Sequence, residues 1–337
     1  MKTSLKTDTT LKMKAIHYTL IITAALLAAS CAEEIDESAE SVQERILKAY
    51  VEKYYPDADR SESGLYYIEQ TPGTGRTPQE SSYVLVEYTI TYLDGSYNSY
   101  TSDSIAKQIG SYSYSGYYDP RIWSLENSTP GVVELLTGMQ EGGYVKAIVP
   151  ATLLDEESGL EITEGDGSSK IYEIHLLEVI DNVDRYEIRV IEDYVMTKIP
   201  DIRDSTEYGL YFHKIREGAS IDTVKDEDHT YYRYIGRFLN GTVFDTNIED
   251  TARKYRIFNG DADSYTSSSF QYFTDEDEVL ENNSLVQGFT KALWRMGRGD
   301  QAVVVFYSKL GYGEDGKGSI PGYVPLRFDI WVDEDDE

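Results

Sequence analysis

The chain has 337 residues and a formal net charge of −29, with 60 Asp and Glu residues against 31 Lys and Arg residues. A surface this acidic repels nucleic acid and anionic lipid head groups, which excludes the usual electrostatic route to binding either. The length suits two domains of ordinary size, and the 30 tyrosines favour a fold rich in strands.

The first 30 residues have the pattern of a secretory signal peptide. Lys12 and Lys14 precede an apolar stretch at 20–29 that is short for a membrane span, and small residues end it. Cys31 is the only cysteine, so no disulfide can form within the chain. The arrangement resembles the lipobox of bacterial lipoproteins, whose cysteine is acylated. The resemblance implies cleavage before Cys31 and attachment to a membrane through that lipid anchor alone.

The residues after the cysteine indicate where such a lipoprotein would go. Ala32 resembles the sorting signal for the outer membrane. The acidic run at 33–37 resembles surface-export signals of some Gram-negative bacteria, although a flexible acidic tether at 31–41 explains it equally well. We therefore expect an outer membrane lipoprotein, on the periplasmic face or at the cell surface.

An internal repeat organises the remainder of the chain. The matching blocks are Tyr50-Val51 with Tyr194-Val195, Pro56-Asp57 with Pro200-Asp201, and Gly64-Leu65-Tyr66 with Gly209-Leu210-Tyr211. The difference in residue number between matching positions is nearly constant over these blocks. It is larger for the matching pair Met139 and Met296, which predicts an insertion in the second copy. The expected domains are residues 42–182 and 183–337, with the insertion near 259–283.

Both copies predict the same elements in the same order. The first predicts a helix at 46–54, strands Leu65–Ile68 and Tyr83–Leu93, helix Val132–Thr137, and strands Val145–Val149 and Tyr172–Val179. The second predicts a helix at 188–199, strands Leu210–His213 and Tyr231–Phe238, helix Phe289–Trp294, and strands Ala302–Tyr307 and Leu326–Val332. This pattern is typical of the α+β class: two tandem units, each an antiparallel sheet wrapped around a short helix and preceded by an N-terminal helix.

Five sequence blocks of the second copy follow one another in the same order as in one enzyme family. They are Tyr-Ile-Gly-Arg-Phe-Leu-Asn-Gly-Thr-Val-Phe-Asp at 234–245, Leu-Val-Gln-Gly-Phe at 285–289, Leu-Gly-Tyr-Gly at 310–313, Ile-Pro at 320–321 and Leu-Arg-Phe-Asp-Ile at 326–330. In order and approximate spacing they resemble the FK506-binding (FKBP-type) peptidyl-prolyl cis-trans isomerases. The resemblance covers nearly all of the second copy and, more faintly, the first, so it implies two FKBP-like units in tandem.

The resemblance implies a prolyl pocket in the second copy. The residues that would act on the substrate bond are Phe244, Asp245 and Tyr312. Those that would bind the substrate are Tyr234, Leu285, Val286, Phe289, Ile320 and Phe328. Phe289 would form the pocket floor, where the family usually has Trp. Taken singly, Phe328 and Val286 fit an ordinary core better, whereas Asp245 and Tyr312 are harder to explain as core residues.

The first copy departs from the family pattern where the pocket would lie. Tyr97-Asn98 stands in place of the Phe-Asp pair, and Ser128-Thr-Pro-Gly-Val132 replaces the apolar walls and aromatic floor. The Ala-Tyr-Gly block is absent after Pro150. We therefore expect the first copy to be a degenerate FKBP-like domain that serves for binding or as a spacer, and not for catalysis. In the second copy, the insertion near 259–283 would either cover the pocket or extend its binding surface.

Neither a nucleotide nor a metal is expected. Residues 311–316 fit the pattern G-x-G-x-x-G, but residues 318–322 that follow cannot begin the helix that a phosphate-binding loop needs. The four histidines are scattered and form no metal-like pair. Proline isomerisation itself requires no cofactor.

The function implied is an envelope-anchored peptidyl-prolyl cis-trans isomerase and chaperone, with catalysis in the second copy and proline-containing polypeptides as substrates. Two alternatives remain open. One is a non-catalytic FKBP-like binding or scaffold lipoprotein. The other, a glycan-binding lipoprotein, rests only on the many tyrosines.

Overall fold

Alternating apolar residues build the central strand of the first half. In the strand Tyr83–Tyr92, Val84, Val86 and Ile90 have no exposed surface and Tyr88 is buried, while the residues that alternate with them are partly or fully exposed. Because successive side chains in a strand point to opposite faces, this pattern gives the sheet one buried face. The computed structural model describes residues 39–154, 168–202, 205–218 and 224–334. The predicted signal peptide and Cys31 lie outside the described residues.

The described elements fall into two similar series. Those of the first half are α1 (Ala39–Tyr54), β1 (Asp59–Arg60), β2 (Tyr66–Thr71), β3 (Tyr83–Tyr92), β4 (Tyr97–Tyr100), α2 (Asp103–Ile109), β5 (Arg121–Ser124), α3 (Pro130–Thr137), β6 (Tyr144–Val149) and β7 (Lys170–Ile180). Those of the second half are α4 (Val183–Lys198), β8 (Leu210–Arg216), β9 (His229–Phe238), β10 (Val243–Thr246), α5 (Glu249–Lys254), β11 (Ser268–Gln271), α6 (Glu276–Asn282), α7 (Gln287–Trp294), β12 (Gln301–Phe306) and β13 (Leu326–Val332). Short 3-10 turns lie at Ala151–Leu153, Ala262–Ser264 and Ser308–Leu310.

The two sheets have the same topology, except that the first has an additional edge strand, β1. The first has the order β1-β2-β6-β7-β3-β4, with β5 also paired to β3. The second has the order β10-β9-β13-β12-β8, with β11 also paired to β9. All of these pairings are antiparallel. The predicted α+β class is therefore confirmed, with two tandem units that each have an antiparallel sheet, a short helix and a preceding helix. The boundaries 42–182 and 183–337 stay predictions.

A short helix packs against the buried face of each sheet. Helix α3 contributes Val132, Leu135 and Leu136 to the first core, and α7 contributes Phe289, Ala292 and Leu293 to the second. Gly288 allows α7 to approach the sheet closely, because a Cβ there would lie 2.4 Å from the ring of Phe306. Burying each of the larger side chains contributes about 1.5–3 kcal/mol to folding.

Part of the segment predicted as an insertion belongs to the sheet. Residues 268–271 form β11, which occupies the position of β5 in the first half. The additional chain of the second half follows β11 instead and includes helix α6. The first half joins β5 to α3 through residues 125–129, without a helix.

The linker helix α4 begins where Asn182 caps it, because the Asn182 side chain accepts a hydrogen bond of 2.9 Å from the amide of Arg185. Its residues Ile191 and Val195 are buried on the outer face of the second sheet, against Val303 and Val305 of β12.

The chain divides into two compact units, Met1–Ile46 and Leu47–Glu337. The described part of the first is the beginning of α1, and both sheets belong to the second. Among the described residues, no helix has the length and apolar character needed to cross a membrane.

Candidate functional site

A β-bulge and a glycine together place two phenylalanine rings over strand β9. In the pairing of β10 with β9, Val243 lies opposite Arg237 and Asp245 lies opposite Gly236, so Phe244 is the extra residue of the bulge. A Cβ on Gly236 would come within 2.7 Å of the Phe244 ring and 2.9 Å of the Phe328 ring. Gly236 therefore makes room for both rings, and no other residue type could occupy this position without displacing them.

Four aromatic rings meet around this point. The ring centroids of Phe244 and Phe328 are 5.7 Å apart, and those of Phe289 and Phe328 are 4.8 Å apart, both in edge-to-face arrangements. Tyr234 lies 5.6 Å from Phe289 and 6.1 Å from Phe328. Phe289 and Phe328 are almost fully buried, whereas Phe244 and Tyr234 are partly exposed. The cluster thus has a buried floor and accessible walls, and its spacings are those of favourable aromatic pairs.

The remaining apolar residues predicted for the pocket border the same cluster. Leu285 and Val286 are partly buried and pack against it, and Ile320 is 8% exposed within it. Val286 is the N-cap of α7, and its carbonyl accepts hydrogen bonds from the amides of Phe289 and Thr290. The start of α7 therefore fixes both Val286 and Phe289 relative to the sheet.

Asp245 carries the negative charge at the rim of the cluster. Its carboxylate accepts a hydrogen bond of 2.7 Å from the Tyr234 hydroxyl and one of 2.8 Å from the amide of Thr246. Burial, and then the neighbouring Asp245 carboxylate, raise the pKa of Tyr234 above its ordinary value. The Tyr234 phenol consequently remains protonated and donates to Asp245, which fixes the ring against Phe289.

Tyr312 lies on the loop after β12, on the same side as Asp245. Burial raises the pKa of Tyr312, and the negative charge of Asp245 raises it further. Its hydroxyl is therefore a hydrogen-bond donor at physiological pH. The loop is held by the Ser308 carbonyl, which accepts hydrogen bonds from Gly311 (2.7 Å) and Gly313 (2.8 Å), the two neighbours of Tyr312.

A buried carboxylate from the linker helix supports this loop. Glu187 is 1% exposed and accepts two hydrogen bonds of 2.6 Å from Ser308, one from its amide and one from its hydroxyl. Burial raises the pKa of Glu187 to about 7, although the bonds from Ser308 oppose that shift. Helix α4 is thus connected to Tyr312 through Glu187, Ser308 and the turn that Ser308 organises.

The structure brings together all nine residues predicted for the site, and it adds supporting residues that the motifs did not indicate. Phe306 stacks beneath Phe328 at 5.7 Å, and Phe238 lies 4.9 Å from Phe244. Glu187 gave no signal because it lies 121 residues before Ser308. Gly236 did carry a signal, since it lies within the Tyr-Ile-Gly sequence at 234–236.

The corresponding place in the first half has the same backbone and different side chains. Strand β4 carries a bulge of the same kind: Tyr97 lies opposite Thr91 and Ser99 opposite Ile90, so Asn98 is the extra residue. The pair that corresponds to Phe244-Asp245 is therefore Asn98-Ser99. The prediction of Tyr97-Asn98 was wrong by one residue, because the sequence does not reveal where the bulge inserts its residue.

The other first-half counterparts follow from register and helix position. Tyr88 corresponds to Tyr234, and its hydroxyl is 3.1 Å from the Ser99 hydroxyl. Thr129 and Val132 hold the places of Val286 and Phe289, at and after the N-cap of the short helix. The aromatic floor and the carboxylate are both absent from this half of the described structure.

Comparison with known proteins gives consistent matches. Residues 221–333 match the family model of the FKBP-type peptidyl-prolyl cis-trans isomerases. The chain is 29% identical over 129 residues to a probable FKBP-type peptidyl-prolyl cis-trans isomerase of Haemophilus influenzae, covering 38% of this chain and 43% of that protein. It is 26% identical over 268 residues to peptidyl-prolyl cis-trans isomerase FKBP9 of Rattus norvegicus, covering 77% of this chain and 36% of that protein.

A solved structure is also similar. The crystal structure of FkpA from Escherichia coli matches with 23% sequence identity and a TM-score of 0.33, over 53% of this chain and 75% of that chain. The chain spans less than half the length of the two curated relatives described above. The sequence matches confirm the predicted family resemblance for the second half.

Proposed function

Because residues 221–333 match the family model of the FKBP-type peptidyl-prolyl cis-trans isomerases, we propose that the second half of the chain catalyses the cis-trans isomerisation of peptide bonds that precede proline. The observation that carries the proposal is the partly exposed aromatic cluster of Tyr234, Phe244, Phe289 and Phe328, with a tyrosine hydroxyl and a carboxylate at its rim. Its substrates would be proline-containing polypeptide segments.

The chemistry follows from the nature of the bond. Rotation about an X–Pro bond is slow because the twisted state loses amide resonance. That twisted state is less polar around the imide than the planar ground state. An apolar pocket that excludes water therefore binds it more tightly, and this differential binding lowers the barrier.

Each residue has a defined part in this mechanism. Phe244, Phe289 and Phe328 hold the proline ring, while Tyr312 donates a hydrogen bond to a substrate carbonyl. Asp245 fixes the Tyr234 hydroxyl at 2.7 Å, which orients the ring that borders the floor. No step requires a nucleophile or a cofactor.

An isomerisation assay on the full-length protein tests the proposal. A short proline peptide should isomerise faster with the protein than in buffer, and Phe244→Ala or Asp245→Ala should reduce the acceleration. The absence of any acceleration by the folded wild-type protein would overturn the proposed activity. Folding of each variant is checked by circular dichroism.

The same proposal includes the location and clients of the enzyme. Cys31 and the signal pattern before it support a lipid anchor in the outer membrane, and an enzyme there would act on exported proteins, also as a chaperone. Cells given a palmitate analogue should label the wild-type protein and not a Cys31→Ala variant. Equal labelling of both would refute the anchor at this position.

The alternative of a non-catalytic binding function applies best to the first half. Asn98, Ser99 and Val132 take the places of Phe244, Asp245 and Phe289, so this half has the fold without the aromatic floor. In the full-length protein, substitutions at Asn98 should leave the isomerisation of a short peptide unchanged. A loss of that activity would instead assign catalysis to the first half.

A further inference from the structure

A cleft of about 810 Å³ lies between the two halves of the chain. Its first-half wall is rich in aromatic side chains, namely Tyr88, Tyr100, Tyr117, Tyr118 and Trp123. Its second-half wall is formed by the loop that follows Tyr312, including Glu314, Asp315, Pro321 and Tyr323. The cleft is large enough for several side chains of an extended polypeptide, since binding sites for small molecules begin at about 300 Å³.

Contacts between the halves hold the two walls in place. The Asn240 amide donates a hydrogen bond of 2.8 Å to Asp119, next to the aromatic wall. On the other side, the rings of Tyr83 and Tyr323 meet edge to face at 5.6 Å. Tyr323 adopts a positive φ of 59°, which is a strained conformation for a residue with a large side chain. Its amide donates to the Gly313 carbonyl at 2.9 Å, so the strained residue is tied to the loop of Tyr312.

Two sets of contacts place the cleft close to the aromatic pocket. The same loop supplies Tyr312 and Ile320 to the pocket and Glu314 and Tyr323 to the cleft. On the first-half side, Tyr117 lies 4.9 Å from Phe238, whose ring lies 4.9 Å from Phe244. The Tyr117 ring is therefore at most about 10 Å from the Phe244 ring, a distance that about three residues of an extended polypeptide span.

Three acidic residues and one basic residue line the cleft, which gives its lining a net charge of −2. Glu126, Glu314 and Asp315 are exposed along it. The Arg121 guanidinium is held against Tyr117, because it lies 4.8 Å from the Tyr117 ring centroid and donates a hydrogen bond of 3.0 Å to the Tyr117 carbonyl. Carboxylates beside aromatic faces are the groups that recognise lysine and arginine side chains.

We propose that this cleft binds a segment of the client polypeptide that flanks the proline and carries a lysine or arginine. The proposal deepens the proposed isomerase function by naming its substrate class, and it gives the first half a direct part in substrate selection. It rests on that function only for the identity of the client, because the cleft can be tested without catalysis.

The test uses a fluorescent peptide that contains no proline and one arginine, together with the same peptide carrying glutamine instead. Fluorescence anisotropy with the full-length protein should show about fivefold tighter binding of the arginine peptide. The double variant Glu314→Gln with Asp315→Asn should abolish most of that preference. The matched control is Asp277→Asn with Glu281→Gln, which removes the same charge from exposed residues of α6 outside the cleft.

Each outcome bears on the proposal. If the control variant loses the preference as much as the cleft variant does, the attraction is that of an acidic surface in general, and the proposal is overturned. Equal binding of the two peptides overturns it as well. If the protein prefers the arginine peptide but fails to accelerate proline isomerisation, the proposed binding by the cleft is supported and the proposed isomerase activity is refuted. The two failures are therefore distinguishable.

Discussion

The two halves of the chain have the same backbone fold and differ in the side chains at the place of the pocket. Both sheets place the equivalent strands in the same order, and both hairpins carry a bulge at the same register. Yet one bulge presents Phe244 and the other presents Asn98. The difference shows that the framework of this fold is determined by strand pairing and core packing, while the pocket depends on a few side chains that the framework does not require.

The first half has lost the pocket without losing its core. Tyr172, the counterpart of Phe328, is 1% exposed and packs fully into the interior. Thr129, the counterpart of Val286, buries a hydroxyl for which the described residues provide no hydrogen-bond partner. Such a group costs about 1–3 kcal/mol relative to a satisfied one, so this position is less well adapted to its surroundings than the valine in the second half.

Replacing the pocket floor with its first-half counterpart should have the largest effect. The Phe289→Val variant loses the aromatic surface beneath the proline ring, and we expect kcat/KM for a short proline peptide to fall about a hundredfold. The free energy of unfolding should also fall, by roughly 2–4 kcal/mol. Phe270→Val is the matched control, since Phe270 is buried in the same core on β11. A similar loss of activity in the control would show that the effect comes from damage to the core and not from a specific role of Phe289.

The next substitution tests the buried carboxyl group of the linker helix α4. The repeat places Gln43 where the second half has Glu187, so Glu187→Gln makes the linker helix resemble α1 at this position. The pKa of Glu187 is raised from its ordinary 4.5 to about 7 in the folded protein. A raised carboxyl pKa contributes stability that is fully present below pH 4.5 and is lost as the pH rises through about 7.

Urea unfolding at pH 5 and pH 8 measures this effect. Relative to Glu187→Gln, the wild-type protein should lose stability on the order of 3 kcal/mol between these two values. If both proteins show the same change with pH, the Glu187 carboxylate does not titrate in this range.

Exchanging the bulge residue should have a smaller effect on catalysis. Phe244→Asn removes one wall of the pocket and leaves the floor, so we expect kcat/KM to fall about tenfold with little change in stability, because Phe244 is partly exposed. Asn98→Ala in the first half serves as the control and should leave kcat/KM unchanged. Equal losses in the two variants would contradict the assignment of the pocket to the second half.

The smallest effect is expected at the rim. Asp245→Ser copies the first half, where the hydroxyls of Tyr88 and Ser99 are 3.1 Å apart. A hydrogen bond to a charged group contributes more than a neutral one, so replacing the carboxylate should lower kcat/KM by about threefold to fivefold. Ser99→Ala is the control. Unchanged activity of Asp245→Ser would show that the negative charge of Asp245 is not needed for catalysis.

Sequence alone predicts the framework and most of the pocket, because both depend on local patterns. Alternation in β3 and β9 predicts the sheets, and the family motifs indicate Phe244, Asp245 and Phe289. The sequence does not reveal the strand register at the bulge. The predicted first-half counterpart of Phe244 was therefore Tyr97, whereas the structure shows that it is Asn98. Contacts between distant segments are equally hidden, as the bonds from Ser308 to Glu187 show.

The shared bulge also has a consequence for protein engineering. A bulge adds a residue to one strand, so creating one requires an insertion that shifts the register of everything beyond it. Strand β4 already contains that residue. A second binding site could therefore be designed into the first half by exchanging side chains alone, with every strand keeping its present length.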